Sequence, residues 1–275
     1  MHKTAMHDGS EDYCERRIQV PDEFLEVITY CYAAQNSGHK DIAKILAPSF
    51  QTILVFSFGT PIIFKSGGDS LTLDQCLVLG PIKQPIAYTL SPAADLFVVN
   101  FKDDAFYRFF GPALMSGLVT VHPDQLLQQN CFSQLWLRLR YEPADNRTAL
   151  LLDFCRPYLK CRDALFEGIS EAASDYRAVS PIKAVAQKTG QSERNVQLNH
   201  KKFLGYTAKE RARYDRFLEA VRLLQNPPHK IDWHQIVEAC GYYDQSQLIH
   251  DFNHYLNLTP SRYIKFQSAV CRIGD

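Results

Sequence analysis

The stretch Ala239-Cys240-Gly241-Tyr242-Tyr243-Asp244-Gln245-Ser246-Gln247-Leu248 has the pattern of one helix ending, a sharp turn and a second helix beginning. Gly241 accepts the positive φ that such a turn requires, and Asp244 is a strong helix N-cap residue. A glycine-containing corner lets two short helices cross steeply. The stretch therefore predicts a helix-turn-helix unit whose second helix covers 244–256.

The same pattern occurs earlier in the chain. Ser192, also an N-cap residue just after a glycine, stands 52 positions before Asp244. A repeat at one fixed offset is hard to attribute to composition, so we predict a first unit with helices over 182–189 and 192–203. The matching pairs are Val196 and Leu248, Phe203 and Tyr255, Leu204 and Leu256, Thr207 and Thr259, and, just before the glycines, Ala186 and Val237.

Between the units, Ala208–Gln225 has the pattern of one long amphipathic helix that Asn226-Pro227-Pro228 ends. We expect its apolar stripe to pack against both units and to set their spacing. Two second helices about 34 Å apart could enter successive major grooves of duplex DNA. The stripe consists of Tyr214, Phe217, Leu218, Val221 and Leu224.

The front half has a different pattern, with short runs of β-branched and aromatic residues separated by glycine and proline. It predicts an antiparallel β sandwich or barrel, with a tight hairpin at Gly67-Gly68. Aromatic residues of the strands either line a pocket for a small effector or fill the interior, and periodicity does not separate these alternatives. They are Tyr30, Tyr32, Phe56, Phe58, Phe64, Tyr88, Phe97 and Phe101.

Two helical segments, 123–140 and 147–159, follow the strands. They either cover the sheet or form a dimer surface. The chain thus divides into a flexible tail over 1–20, a β-rich sensory or dimerisation domain over 21–122, a helical connector over 123–168 and a helical DNA-binding domain over 169–275.

The residues of both units resemble the AraC/XylS family of bacterial transcription regulators. Ser192-Glu193-Arg194-Asn195-Val196-Gln197 and the 239–248 stretch, with Phe252 and Leu258-Thr259-Pro260-Ser261-Arg262-Tyr263 after it, carry the resemblance over about 100 residues. The front half is similar in layout to the cupin-like sensory domains of that family. The resemblance implies an α+β chain with a double helix-turn-helix domain that binds double-stranded DNA.

In the family, outward positions early in each second helix contact base edges. Carried over, these positions are Arg194, Gln197, Leu198, Gln245, Ser246 and His250. Arginine suits guanine and glutamine suits adenine through paired hydrogen bonds. Three positions depart from the family pattern: Leu198 and His250 replace basic residues, and His200 replaces an aromatic one. We therefore expect weaker reading by the first unit, a thymine-methyl contact for Leu198 and a neutral core histidine at His200.

Basic residues near the units are candidates for phosphate contacts or, individually, for a solvated surface. Neutralising about six phosphates predicts a slope near −5 for log affinity against log salt. The candidates are Lys201, Lys202, Lys209, Arg211, Arg213, Arg262 and Lys265.

Charge and composition exclude several other classes. The 275 residues hold 30 Lys and Arg against 30 Asp and Glu, so there is no generally basic surface. The balance hides an asymmetry: residues 1–169 carry 15 basic against 19 acidic residues, and 170–275 carry 15 against 11. The polar start and the lack of a long apolar run predict a cytoplasmic protein with no membrane contact.

Enzyme signatures are lacking in the sequence. No nucleotide-loop, nucleophile-elbow or His-Glu-x-x-His motif occurs, and eight cysteines show no Cys-x2-Cys spacing. His2, His7, His39 and His122 are spread too widely for a cupin metal site, so we expect no metal and no cofactor.

We therefore predict a sequence-specific transcription regulator, not an enzyme, modulated through its front domain by a small-molecule effector or by homodimer formation, with RNA polymerase as a further candidate partner. The alternative is a cupin-like small-molecule-binding protein or enzyme whose helical domain mediates protein contacts.

Overall fold

The computed structural model describes residues 12–112, 122–127, 130–173, 181–225 and 231–265. Strands dominate the chain up to Phe101, and the described residues after it are helical or irregular. The predicted order of a β-rich front half and a helical second half is confirmed.

The described strands form two antiparallel sheets. The first sheet has the order β1-β2-β9-β4-β7, and the second has the order β3-β8-β5-β6. No strand pairing joins the two sheets among the described residues, so the fold is an open sandwich and not a closed barrel. The strands are β1 Tyr13–Ile18, β2 Ile28–Asn36, β3 Ile42–Leu46, β4 Thr52–Ser57, β5 Ile62–Ser66, β6 Asp69–Leu73, β7 Cys76–Leu79, β8 Ile86–Leu90 and β9 Asp95–Phe101.

The central strands β4 and β9 are buried on both faces because the first sheet lies between two cores. One core fills the space between the sheets and includes Phe64 and Tyr88. The other lies on the helix side and includes Phe56, Phe97 and Phe101. These five aromatic side chains are packed as core residues. The hairpin at Gly67-Gly68 forms as predicted, with φ of +57° and +97° at the two glycines.

The described residues form eleven α-helices and two short 3-10 helices, Asp22–Phe24 and Arg156–Tyr158. The α-helices are α1 Ala105–Phe110, α2 Asp124–Leu127, α3 Cys131–Arg140, α4 Ala144–Cys155, α5 Ala164–Ala173, α6 Pro181–Thr189, α7 Glu193–Leu204, α8 Ala208–Gln225, α9 Trp233–Ala239, α10 Gln245–Leu256 and α11 Pro260–Lys265. The single helix expected over 123–140 is divided into α2 and α3, and the helix expected over 147–159 begins and ends earlier, as α4.

Helices α3 and α4 cover the first sheet. Trp136 of α3 donates from its indole nitrogen to the carbonyl oxygen of Ser57, 2.7 Å away. Arg147 of α4, buried, pairs with both carboxylate oxygens of Asp95 at 2.7 and 2.8 Å and also donates to the carbonyl oxygen of Leu139. The covering role is therefore clear, while Leu137 and Tyr141 remain exposed on the outer side of this layer.

Two boundaries differ from the expected domain limits. The tail expected over 1–20 contributes β1, in which Tyr13 and Glu15 are partly buried and the alternate residues Cys14 and Arg16 are exposed; residues 1–11 lie outside the described part. Helix α5 crosses the expected limit between 168 and 169, because its Phe166 and Ile169 pack with Val185.

A short loop between β3 and β4 joins the two halves of the molecule. Its Phe50, in the left-handed region at φ +56°, inserts between Tyr206 and Tyr214, with ring centroids 5.1 and 4.5 Å away. The Tyr214 hydroxyl donates to the carbonyl oxygen of Pro48. The aromatic side chain of a front-domain loop is thus part of the core of the helical half.

Candidate nucleic-acid interface

The first unit, residues 181–204, consists of α6, a turn and α7. Gly190 turns the chain at φ +67°, and the Ser192 hydroxyl caps α7 by accepting from the Asn195 amide at 3.2 Å. Val196 and Phe203 are buried on the inner side of α7. The local geometry is that of the predicted helix-turn-helix.

The second unit, residues 233–256, repeats this arrangement with α9 and α10. Gly241 has φ +72°, and the Asp244 carboxylate accepts from the Gln247 amide at 2.8 Å. Leu248, Phe252 and Tyr255 are buried. The repeat in the sequence is therefore a repeat in structure, including the glycine turn and the side-chain cap.

His200 lies at the inner side of α7, as predicted for a core histidine. It is buried, and its Nδ1 donates to the carbonyl oxygen of Tyr206 at 2.8 Å. Burial lowers the pKa of His200 below its ordinary value, which favours the neutral ring.

Helix α8 has the predicted bounds, but its apolar stripe packs mainly with the second unit. Phe217 is fully buried, with ring centroids 5.1 Å from Phe252 and 4.7 Å from Tyr255. The first unit has its own core with α5, where Phe166 lies 5.9 Å from Phe203. The stripe that we expected to pack against both units therefore lies mainly in the core of the second unit.

All six candidate base-contacting residues are exposed. Arg194, Gln197 and Leu198 lie on the outer side of α7, and Gln245, Ser246 and His250 on the outer side of α10. Leu198 is 61% exposed, which leaves its methyl groups accessible to a partner. Neither row of candidates is covered by the described parts of the chain.

The candidate phosphate contacts separate into two groups. Lys201, Lys209, Arg262 and Lys265 are exposed, and Lys202 is exposed with its Nζ 5.6 Å from the ring centre of Tyr107. Arg211 and Arg213 have internal partners instead: Arg211 pairs with Asp215 at 2.8 Å, and Arg213 pairs with Asp251 at 2.7 Å. These two guanidinium groups serve the fold in the structure of the free protein.

Asp251 belongs to the candidate interface through its contacts and was not predicted from the sequence. Its carboxylate is buried on the inner side of α10, contacts Arg213, and lies 3.8 Å from Arg216. Arg213 also donates to Nδ1 of His250 at 3.0 Å. An acidic residue among the inward positions of an apolar helix face is the signal that could have revealed this bridge.

Over the described residues, no helix is both long enough and apolar enough to cross a membrane. In the same part of the chain, no group of three or more His, Cys, Asp or Glu side chains is arranged to hold a metal ion.

Comparison with known proteins gives one family match. Residues 185–265 match the HTH_18 family, described as a helix-turn-helix domain. No curated protein sequence matches the chain.

Several solved structures are similar to this chain. ToxT from Vibrio cholerae is 12% identical, covering 93% of this chain and 98% of that one, with a TM-score of 0.43. The DNA-binding domain of AdpA, in complex with a target DNA, is 19% identical over 39% of this chain and 96% of that one, with a TM-score of 0.32. A Cupin_2 domain of an XRE family regulator from Enterobacter cloacae is 16% identical over 33% and 96%, with a TM-score of 0.26. None of these three likenesses assigns a property to this chain.

Proposed function

Because the C-terminal region of this chain is an AraC-type helix-turn-helix domain, we propose that the protein is a sequence-specific transcription regulator that binds double-stranded DNA with both of its units. The observation that carries the proposal is the repeated geometry. Each unit presents the capped start and outer face of its second helix to solvent, while the opposite face is buried in a core. This is the arrangement that a recognition helix needs in order to enter a major groove.

The exposed side chains determine the chemistry of reading. Arg194 suits the O6 and N7 acceptors of guanine, and Gln197 and Gln245 suit the N6 and N7 edge of adenine. Leu198 is free of polar atoms and suits a thymine methyl group. Each good paired contact contributes about 1–3 kcal/mol of discrimination between bases.

His250 has a restricted role in this proposal. Arg213 donates to its Nδ1, so the ring of His250 accepts a hydrogen bond on that side. Ser246 supplies a hydroxyl that pairs with several base edges. In the second unit, Gln245 and Ser246 are therefore the main base-contacting candidates, and His250 adds one further hydrogen-bonding group.

Phosphate contacts give affinity without sequence preference. Since Arg211 and Arg213 are engaged inside the domain, five of the seven basic candidates remain: Lys201, Lys202, Lys209, Arg262 and Lys265. If these five each neutralise one phosphate, the slope of log affinity against log salt is about −4.5. A slope near zero contradicts this assignment.

The front domain contacts the DNA-binding half at several places, two of which lie in aromatic clusters. Phe50 lies among the aromatic residues of α8 and the second unit, and Tyr107 of α1 packs edge-on against Phe203 of the first unit at 5.0 Å. A ligand or a second copy of the chain bound at the front domain could therefore change the position of both units. Regulation by a small-molecule effector or by dimer formation is part of the proposal, and RNA polymerase is its natural downstream partner.

Selection of bound sites from random double-stranded DNA by the full chain tests the proposal. We expect one enriched motif with two half-sites, and we expect the double variant Arg194→Ala, Gln245→Ala to lose at least tenfold in affinity for it. Gln134→Ala with Arg138→Ala, the same residue types exposed on α3, is the matched control. Equal binding by the wild type and the Arg194, Gln245 double variant contradicts the site assignment, and the lack of any enriched motif contradicts the function.

A further inference from the structure

One opening of the β sandwich is lined by polar side chains. β1 is an edge strand of the first sheet and β3 is an edge strand of the second. Side chains of these two strands meet across the gap, because Lys44 of β3 lies 3.7 Å from Glu15 of β1. Most of the space between the sheets is filled by apolar residues. We call the residues Tyr13, Glu15, Tyr32, Lys44 and Tyr88 the edge cluster.

The edge cluster is organised around one carboxylate. The hydroxyls of Tyr13 and Tyr32 each donate to Oε2 of Glu15 at 2.6 Å. The Lys44 ammonium pairs with Oε1 and also lies over the ring of Tyr13, 4.7 Å from its centre. Tyr88 is the direct cross-strand neighbour of Lys44 on β8.

The ion pair of Glu15 and Lys44 is stabilised by its neighbours and is also partly exposed to solvent. Burial raises the pKa of Glu15, but the two tyrosine hydroxyls and Lys44 outweigh this effect, so the pKa lies below its ordinary value and the group is ionised at neutral pH. The side chains of Glu15 and Lys44 are 24% and 18% exposed. Solvent therefore reaches the ion pair from the open edge of the sandwich.

Folding alone does not require this arrangement. An ion pair drawn partly out of water contributes little or nothing compared with well-packed apolar side chains. A carboxylate beside the face of an aromatic ring is, in contrast, a favourable environment for an ammonium group, which gains both a charge-assisted hydrogen bond and a cation–π contact. In the edge cluster the chain's own lysine holds that position.

We propose that the edge cluster is a binding site for a small molecule with an ammonium group, and that Lys44 is the internal group which such a ligand displaces. The ligand ammonium takes the place of the Lys44 Nζ between the Glu15 carboxylate and the Tyr13 ring. Tyr13 and Tyr32 keep the carboxylate oriented by their hydrogen bonds. An anionic ligand is disfavoured, since it would meet the ionised Glu15.

The position of Lys44 connects this site to the DNA-binding half. β3 ends at Leu46, and Phe50, the front-domain residue in the core of the helical half, follows four residues later. When Lys44 is released, the edge strand β3, which precedes this loop, loses its ion pair with Glu15. The idea that such an amine is the effector rests on the regulator function proposed above. Binding of the amine itself can be measured without DNA.

Calorimetric titration of the full chain with n-butylammonium, with butyrate and n-butanol as isosteric controls, tests the site. We expect weak binding of butylammonium to the wild type and about tenfold tighter binding to Lys44→Met, because that variant removes the internal competitor. Glu15→Gln should lose butylammonium binding in either background. Lys65→Met, an exposed lysine of β5, is the matched control and should bind as the wild type does.

The proposal is overturned if butylammonium binds Lys44→Met no more tightly than the wild type, or if butyrate binds instead. If Lys44→Met fails to give a cooperative thermal transition, comparison of the wild type with the isosteric Glu15→Gln variant decides, because equal binding by these two also excludes the site. Loss of DNA binding with amine binding intact would count against the proposed function and leave this site standing.

Discussion

The two helix-turn-helix units have the same local structure but different supports. Both use a left-handed glycine, a side-chain N-cap and a buried inner face on the second helix. The first unit packs on α5 and touches Tyr107 of the front domain. The second unit packs on α8, receives Phe50 from the front domain and contains the buried Asp251. A repeated local pattern thus gives two units whose stability and position depend on different parts of the molecule.

The candidate DNA-contacting faces of the two units also differ in the contacts that their side chains make within the protein. α7 presents Arg194, Gln197 and the exposed Leu198 on its outer face, whereas on α10 the His250 ring accepts from Arg213. The second unit is thereby fixed to α8 through charged as well as apolar contacts. We expect the second unit to be the more rigid reader of the two.

Truncation of a core side chain of α8 should cause the largest loss of stability, and the second unit should lose more stability than the first. Phe217 is fully buried against Phe252 and Tyr255, so we expect Phe217→Ala to reduce the free energy of unfolding by about 4 kcal/mol. Urea denaturation measures this. Leu218→Ala, a half-buried position of the same helix, is the control and should cost less than half as much. Equal losses in the two variants would contradict the packing described.

Removal of the front-domain contact should have the next largest effect. Phe50→Ala leaves a cavity between Tyr206 and Tyr214, and we expect a loss of about 3 kcal/mol in the free energy of unfolding. Differential scanning calorimetry should show the helical half melting earlier. Tyr141→Ala, an aromatic truncation at an exposed position, should leave the profile unchanged. A profile for Phe50→Ala like that of the wild type would show that the halves are not joined there.

Loss of the buried Asp251 carboxylate should reduce stability more than loss of the more exposed Asp215 carboxylate. Asp251→Asn removes the charge that faces Arg213 and Arg216, and we expect it to cost about 2 kcal/mol of stability and to weaken DNA binding. Asp215→Asn breaks a more exposed pair with Arg211 and should cost less than about 1 kcal/mol. Chemical denaturation and a DNA-binding titration of both variants check this. The reverse order of effects would exclude the positioning role of Asp251.

The two N-caps should contribute similar, small amounts. Ser192→Ala and Asp244→Ala each leave one helix-terminal amide without its side-chain acceptor, so we expect a loss of about 1 kcal/mol for each. Thermal denaturation of both variants measures the difference. Asp163→Ala, which loses a single amide contact at the start of α5, gives the same class of change outside the two units. If only one of the two variants loses stability, the two N-caps do not contribute equally and this prediction is contradicted.

The smallest expected effect is the pH dependence of stability that His200 of the first unit contributes. The folded pKa of His200 is lowered, so protonation favours the unfolded chain, and stability falls as the pH drops below the unfolded value of about 6.5. Between pH 7 and pH 6 this costs at most about 0.7 kcal/mol. His254 of the second unit, whose pKa is also lowered by burial, contributes in the same direction. His200→Phe should flatten the dependence measured by urea denaturation at each pH, and an unchanged slope would contradict the assignment.

Local features of the fold were predictable from the sequence because they depend on near neighbours in the chain. Residue type and spacing were enough to predict four features: the bounds of α8, the caps at Ser192 and Asp244, the two glycine turns and the Gly67-Gly68 hairpin. Strand β1 was not recognised, since its charged outward residues hide the alternation of an edge strand. The ion-pair partners of Arg211 and Arg213 were equally hidden, because a basic residue has the same local pattern whether it faces a phosphate or an aspartate.

The sequence by itself determined the β-rich front half, the helical second half and the repeated units, since hydrophobic period, capping and turn chemistry act over a few residues. Only the tertiary structure decided which helix supports each unit, that Phe50 enters the helical core, and that Asp251 and the edge cluster bring charges from separate segments together. These contacts join residues far apart in the chain. Their free energy comes from burial and charge pairing that exist only once the segments have packed.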